Sequence, residues 1–348
     1  MLVIYVGGFD VRYLQNNRFD SQKICGLLLS LILVTWFGGS GETRSSQDGA
    51  MESEQKPLVI GHRGAAGLAP ENTLAAFARS IELEVDAVEL DVHLSMDGEL
   101  IVYHDPVLKP EITRGPDGKW LTVYDPLPIK SLTVNQLKTY DVGRLKPKTA
   151  YGNRYPDQKP ADGERIPTLR EVIGFLKQKA APEVALWIEI KTSPETPELT
   201  ASPDTIAEAV VDVVRSEDFV IRTKILSFDW RSLVRIQEIA PGIQTVFLSS
   251  KYKPIKRFDK STTLLWSAGF DPKDYDNSLP EMIQAAGGRH WGAKYSQLTN
   301  AQIRKAHAAG VEVYAWTVDS KRDMIHLIQK GVDGIITNRP DILQSVLK

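Results

Sequence analysis

Cysteine is almost missing from this chain of 348 residues; the one that occurs is Cys25. Everything downstream is therefore without a possible disulfide or thiolate metal site, and any metal must be held by oxygen or imidazole. An excess of charge of one sign is missing as well. With 42 Lys and Arg against 44 Asp and Glu, there is no basic footprint for DNA or RNA, and no nucleic-acid partner is expected. A run of the about 20 apolar residues that a membrane span needs is also absent. The stretch from Ile24 to Phe37 is shorter, follows Lys23 and precedes Gly38-Gly39-Ser40-Gly41. A basic residue, an apolar run and small residues in that order match a secretory signal peptide, with an uncleaved anchor as the alternative. Cys25 opens the run instead of closing it, so a lipoprotein site is not indicated. Residues 1–22 read as an over-long start and residues 42–56 as a polar linker. An exported, periplasmic or secreted protein is expected. No basic amphipathic stretch follows residue 56, so no stable membrane association is expected once this leader is removed.

The length permits one large domain or two ordinary ones. From residue 57 to 348, β-rich runs alternate with amphipathic segments. The candidate strands are Leu58 to Gly61, Ala87 to Asp91, Ala185 to Lys191, Lys224 to Phe228, Gln244 to Leu248, His290 to Ala293, Val311 to Trp316 and Val332 to Thr337. Helical patterns lie between most of them, such as Glu71 to Leu83, Leu169 to Lys179 and Asp204 to Ser216. Such alternation means a parallel sheet, and this many strands close it into a (β/α)8 TIM barrel, an α/β fold. The pattern breaks between Pro106 and Pro167, a stretch rich in Pro, Gly, Asp and Lys with one helical signal from Val134 to Tyr140. It reads as a small inserted subdomain capping the mouth of the barrel, since so long a loop without structure does not fit a compact domain.

Working residues of such barrels sit at the carboxyl ends of the strands, and polar residues collect there in this chain. His62 and Arg63 end the first strand, Glu89 and Asp91 the second, Glu189 and Lys191 the third. Asp97-Gly98 between alternating runs predicts a hairpin, and a turn centred there sets Asp91 across from His104. Three carboxylates, Glu89, Asp91 and Glu189, around one opening repel one another, and a divalent cation relieves this. For hard oxygen ligands Mg²⁺ or Ca²⁺ is expected. A structural ion pair between Glu189 and Lys191 is the plainer alternative. His62 and His104 reach the same mouth and suit acid–base work near neutral pH. His93 is a weaker candidate, for a ligand or a place in the hairpin, whereas His290, His307 and His326 lie in strand or helix patterns without acidic company. Arg63 and Lys191 bring the positive charge that an anionic phosphate requires, or else balance the carboxylates. Phe228 and Trp316 close apolar strands, either as core or as walls for an organic substrate. Pro70-Glu71-Asn72-Thr73 opens the first helix.

Taken in order, His62-Arg63-Gly64, Pro70-Glu71-Asn72-Thr73, Glu89-Leu90-Asp91-Val92, Asp97-Gly98, His104-Asp105, Glu189-Ile190-Lys191, Ser227-Phe228, Trp316-Thr317-Val318 and Gly334-Ile335-Ile336-Thr337 resemble the glycerophosphodiester phosphodiesterase family, from Leu58 almost to the end of the chain. The resemblance implies a metal-dependent TIM barrel that hydrolyses a small glycerophosphodiester to glycerol 3-phosphate and an alcohol. It implies that Glu89, Asp91 and Glu189 hold one Mg²⁺ or Ca²⁺, that His62 and His104 are general acid and base, that Arg63 and Lys191 contact phosphate, and that Glu71 and Asn72 support the site. It also matches the insertion to the family's capping subdomain. Glu84 stands where the family usually has glycine, Asp319 where asparagine usually follows Trp-Thr-Val, and Asn338 where aspartate usually follows threonine; none of these is expected to touch the metal or the two histidines. Two other readings remain: a phospholipase-type enzyme acting on intact lipid, and a barrel that binds phosphodiesters without cleaving them.

Overall fold

In the computed structural model, residues 56–348 are described apart from 180, 182 and 251–259. The signal-peptide expectation falls on residues 1–55, outside the described residues. Nine strands form one sheet: β1 (Leu58–Gly61), β2 (Ala87–Leu94), β3 (Leu100–Val102), β4 (Ala185–Ile190), β5 (Thr223–Ser227), β6 (Gln244–Ser249), β7 (His290–Lys294), β8 (Glu312–Trp316) and β9 (Gly334–Thr337). Eight of them run parallel in the order β1-β9-β8-β7-β6-β5-β4-β2, and pairing of β1 with β2 closes the ring. The chain is thus a TIM barrel, and each expected strand is present, β1 with the expected ends and the others with one or both ends moved by one to three residues. β3 stays outside the ring, antiparallel to β2.

Alternation along each strand sorts two cores. Val88, Leu90 and Val92 of β2 and Leu186, Ile188 and Ile190 of β4 face outward, into the layer between barrel and helices. The inward set is Ile60, Ala87, Trp187, Leu226, Val246, Leu248, Tyr314 and Ile336. Trp187 and Tyr314 meet edge to face with ring centres 4.7 Å apart, so side chains fill the lower barrel and no pore remains. The same inward rows continue upward as Glu89, Asp91, Glu189 and Trp316. Apolar residues thus plug the barrel below and polar ones crown it at the carboxyl ends.

The first helix is shorter than its pattern suggests, Leu74–Glu82, because Thr73 is its N-cap and accepts from the Ala76 N–H at 3.2 Å. Glu71 and Asn72 therefore sit in the turn before it. Glu84, which follows this helix, has φ 54°, a left-handed conformation that glycine adopts without strain. The crossover from β6 to β7 carries two helices too short for a clear periodic signal, Lys260–Trp266 and Leu279–Ala285. Among the described residues, no helix is long and apolar enough to cross a membrane.

The hairpin register differs from expectation. Val92 pairs with Val102 and Leu94 with Leu100, while the Tyr103 N–H donates to the Asp91 carbonyl at 3.0 Å. Asp91 therefore opposes Tyr103, not His104. The reason is a three-residue loop, Met96-Asp97-Gly98, inside the Ser95–Glu99 hydrogen bond, with Gly98 at φ 82°; such loops put glycine in the left-handed position. His104 lies just past the paired strand, at the start of the insertion.

The insertion has its own small core of Ile101, Tyr103, Leu108, Ile112, Ile129, Leu137, Val142 and Ile166. Its helical signal shrinks to Val134–Leu137, opened by a reciprocal Thr133–Gln136 cap. Gln158 Nε2 donates to the Ala66 carbonyl at 2.7 Å, the Lys159 N–H to the Leu68 carbonyl at 2.9 Å, and Arg339 reaches Asp157 at 2.7 Å. These bonds tie it down beside the ends of β1 and β9, at the mouth.

Candidate active site

A cavity of about 240 Å³ opens at this mouth. His62, Arg63, Glu89, His104, Glu189, Lys191, Phe228 and Trp316 line it on the barrel side, and Lys109, Tyr151, Arg154 and Tyr155 from the insertion line it on the other. Glu89, Asp91 and Glu189 are buried beneath it, each offering one oxygen, all within 4.8 Å of one another. β2 and β4 cause this: Asp91 pairs with Glu189 in the parallel register, and Glu89 lies two residues below Asp91 on the same face.

Burial and the neighbouring Asp91 and Glu189 carboxylates push the Glu89 pKa far above its ordinary value. Burial also works against the Asp91 charge, but Lys191, His104 and Arg63 outweigh it and hold that carboxyl well below the usual range. The Lys191 ammonium lies 2.8 Å from Asp91 Oδ1 and contacts Glu189 Oε1. Glu89 has no such partner: its Oε2 accepts from the Arg63 N–H at 2.8 Å, and its buried Oε1 has no hydrogen-bond partner. An unpaired buried oxygen among three acids is a donor set that suits a hard divalent cation.

Arg63 has φ 50°, strained for a residue with a side chain. That turn lets it reach three acids. Its Nη1 donates to Glu71 at 2.7 Å, its Nε is 3.4 Å from Asp91, and its backbone meets Glu89. Gly64 beside it has φ 80°, and a Cβ there would lie 2.7 Å from the Ala76 backbone. Asn72 Nδ2 donates to Asp91 at 2.9 Å, and the Tyr151 hydroxyl donates to Glu71. Arg63 and Lys191 thus balance the acids and face the cavity at once.

His62 follows β1. Burial, then the Arg63 guanidinium, push its imidazole down to about 3, so it is neutral near pH 7. Its Nδ1 is 2.7 Å from Asn338 Oδ1, so Asn338 does touch a histidine, against expectation, because β1 and β9 are paired and end side by side. His104 is about a third exposed, with Nδ1 3.3 Å from Asp105 Oδ1. Burial opposes the Asp105 charge, yet His104 and Lys109 hold its pKa below the ordinary range. His93 is buried and donates from Nε2 to the His104 carbonyl at 3.1 Å, a place in the hairpin, and it is not in the carboxylate cluster. Two other histidines have acidic neighbours the sequence did not reveal: His307 is 2.8 Å from Asp333 and His290 is 3.8 Å from Glu312. Both lie away from the cavity.

Phe228 and Trp316 meet edge to face at 5.3 Å and wall the cavity. Opposite them, Tyr151 and Tyr155 meet edge to face at 6.1 Å, Lys109 stands over the Tyr151 ring and Arg154 over the Tyr155 ring. These four residues were not legible in sequence; Tyr151 and Tyr155 stand one helical turn apart in a stretch without periodicity.

Residues 62–342 match the model of the glycerophosphoryl diester phosphodiesterase family. A glycerophosphodiester phosphodiesterase of Caldanaerobacter subterraneus is 30% identical over 299 residues, 84% of this chain and 98% of that protein. Another, of Bacillus subtilis, is 27% identical over 342 residues, 96% of this chain and 99% of that protein. A solved structure from Silicibacter pomeroyi, provisionally named a glycerophosphoryl diester phosphodiesterase, superposes with a TM-score of 0.74 at 32% identity, covering 84% of this chain and 93% of that one. A phosphodiesterase of Oleispira antarctica, solved with its product sn-glycerol-3-phosphate, shares the fold with a TM-score of 0.61 at 24% identity, over 84% of this chain and 97% of that one.

Proposed function

The chain belongs to the glycerophosphodiester phosphodiesterase family and is a phosphoric diester hydrolase, and from that premise we propose that it cleaves small glycerophosphodiesters to sn-glycerol 3-phosphate and an alcohol, with one Mg²⁺ or Ca²⁺ held by Glu89, Asp91 and Glu189 and with His62 and His104 as the acid–base pair. The observation that carries this reading is the convergence of three buried carboxylates, two histidines from different strand ends and two cations on one cavity. A cation bound there supplies positive charge for the phosphate oxygens and lowers the pKa of a nearby hydroxyl.

The residues of the chain do the rest. One histidine takes the proton from the glycerol hydroxyl adjoining the ester as that oxygen attacks phosphorus. The bond from phosphorus to the alcohol breaks, and the other histidine gives its proton to the departing oxygen. The cyclic phosphate so formed is opened by water with the two roles reversed, which leaves glycerol 3-phosphate. Arg63 and Lys191 add fixed positive charge at the cavity wall, held in place through Glu71, Asp91 and Glu189. Asn72 orients Asp91. Phe228, Trp316 and the two insertion tyrosines exclude water around the alcohol.

The test is glycerol 3-phosphate release by the purified full-length protein from glycerophosphocholine and its ethanolamine, glycerol and inositol counterparts, with Mg²⁺, with Ca²⁺ and with EDTA. Release that needs the metal is expected. No release from any of them, or cleavage of intact phospholipid alone, would reject the reading. Export belongs to the same proposal and is supported by Lys23 and the apolar run after it; full-length chain retained in the cytoplasm would count against it.

A further inference from the structure

Three neighbouring strand ends, those of β8, β9 and β1, each carry a polar residue onto one line. Asp319 follows β8, Asn338 follows β9 and His62 follows β1. The ladder continues past the strands here: the Val318 N–H donates to the Ile336 carbonyl at 3.1 Å and the His62 N–H to the Thr337 carbonyl at 2.8 Å. Along this line Asn338 Nδ2 is 2.8 Å from Asp319 Oδ2, the Asn338 N–H donates to Asp319 Oδ1 at 2.9 Å, and Asn338 Oδ1 is 2.7 Å from His62 Nδ1. Asn338 is fully buried.

The hydrogen-bond inventory leaves one arrangement. Asn338 Nδ2 donates to Asp319 Oδ2, beside the Asn338 N–H on Oδ1, so the amide oxygen is the atom turned to His62. An amide oxygen only accepts, so His62 Nδ1 must carry a hydrogen. We infer that Asp319 and Asn338 are positioning residues that fix the His62 imidazole in the tautomer protonated at Nδ1, leaving Nε2 bare as the proton-accepting nitrogen. This rests on His62 being one of the two acid–base groups proposed above. Asp319 lies behind Asn338 in this chain of bonds, so the group touching the imidazole is the neutral amide. The amide fixes orientation without the charge that would favour an imidazolium, so His62 enters the first step as the base and His104 as the acid.

The test uses full-length protein and four variants, N338A, N338L, D319N and the double exchange D319N/N338D. With wild type active, kcat of N338A and N338L should fall on the order of 100-fold while KM stays near wild type, because the amide acts on the base and not on bound substrate; thermal unfolding should come only a few degrees earlier, from the buried partners left unpaired. D319N should lose less. The double exchange should recover most of kcat and move the acidic limb of the pH–rate profile upward, since a carboxylate then faces the imidazole. A second readout needs no activity: ¹⁵N spectra of histidine-labelled protein should show the Nδ1-protonated tautomer for His62 in wild type and a mixture of tautomers in N338A. Wild-type kcat and an unchanged tautomer in N338A would overturn the inference, as would a double exchange no more active than N338A. Inactive wild type with the expected tautomer would instead refute the phosphodiesterase reading and leave the tautomer assignment standing.

Discussion

Replacing Glu89 with glutamine removes one charge from the carboxylate cluster and changes almost nothing else in shape. At the 4.8 Å outer limit between ligand atoms, two carboxylates in surroundings of effective dielectric constant about 20 repel each other by about 3.5 kcal/mol. Glu89 faces two such neighbours, and Lys191 lies against Asp91 and Glu189 instead of against it. Its raised pKa follows from that crowding on top of burial. A divalent cation relieves the repulsion and stabilises the folded protein by mass action, about 2.7 kcal/mol at a hundredfold excess over Kd, which is about 4 °C in Tm for a domain of this size, whose unfolding entropy is about 0.6 kcal/mol/K. Thermal unfolding followed by circular dichroism, in EDTA and with added Mg²⁺ or Ca²⁺, reads this directly. E89Q keeps an oxygen to accept from the Arg63 N–H, so in EDTA it should unfold no earlier than the parent. Its metal-dependent rise should vanish. A full rise retained in E89Q, or a metal-free Tm several degrees below the parent, would refute the idea that Glu89 is both the crowded acid and a metal ligand.

Replacing His104 with alanine should lower kcat by about 10²- to 10⁴-fold and leave the unfolding transition in place; near-normal turnover in a steady-state assay would remove His104 from the acid–base pair. Burial pushes His62 and His290 down to about 3 and about 4 in the folded protein, from 6.5. Below pH 6.5 the unfolded chain therefore binds more protons, and stability present above that pH is lost as pH falls. Urea unfolding between pH 6 and 5 should show H290Q with a slope shallower by about 1.2 kcal/mol per pH unit; an unchanged slope would mean that His290 protonates without unfolding. Arg154 is exposed at the cavity, where its guanidinium lies over the Tyr155 ring. R154E should lower kcat/KM for glycerophosphoserine relative to glycerophosphocholine by about fivefold, equivalent to about 1 kcal/mol, and an unmoved ratio would take Arg154 out of alcohol recognition.

Much of the site was legible because it obeys strand periodicity. Glu189 and Lys191 interrupt an otherwise apolar run at its carboxyl end, and Glu89 and Asp91 do the same on β2, so the barrel and the acidic crown could both be read from residue order. The hairpin register was not, since Asp-Gly fits loops of two residues and of three, and Gly98 takes the left-handed place in the longer one. Lys109, Tyr151, Arg154 and Tyr155 come from a segment held by isolated bridges and a small core of its own, where no period marks which side chains turn inward. Asp319 and Asn338 were visible as two separate departures from a pattern; only the β8–β9 crossover brings residues 19 apart into one hydrogen-bonded chain. The reach of Arg63 to three acids depends on a positive φ that no side-chain pattern announces.

The most direct test of the central claim is ³¹P NMR of glycerophosphocholine incubated with the full-length protein and Mg²⁺ or Ca²⁺, which reports which phosphorus–oxygen bond breaks. The account predicts glycerol 3-phosphate as the phosphorus-containing product, formed with metal and not with EDTA. Phosphocholine in its place, or an unchanged diester resonance with every metal, would contradict it.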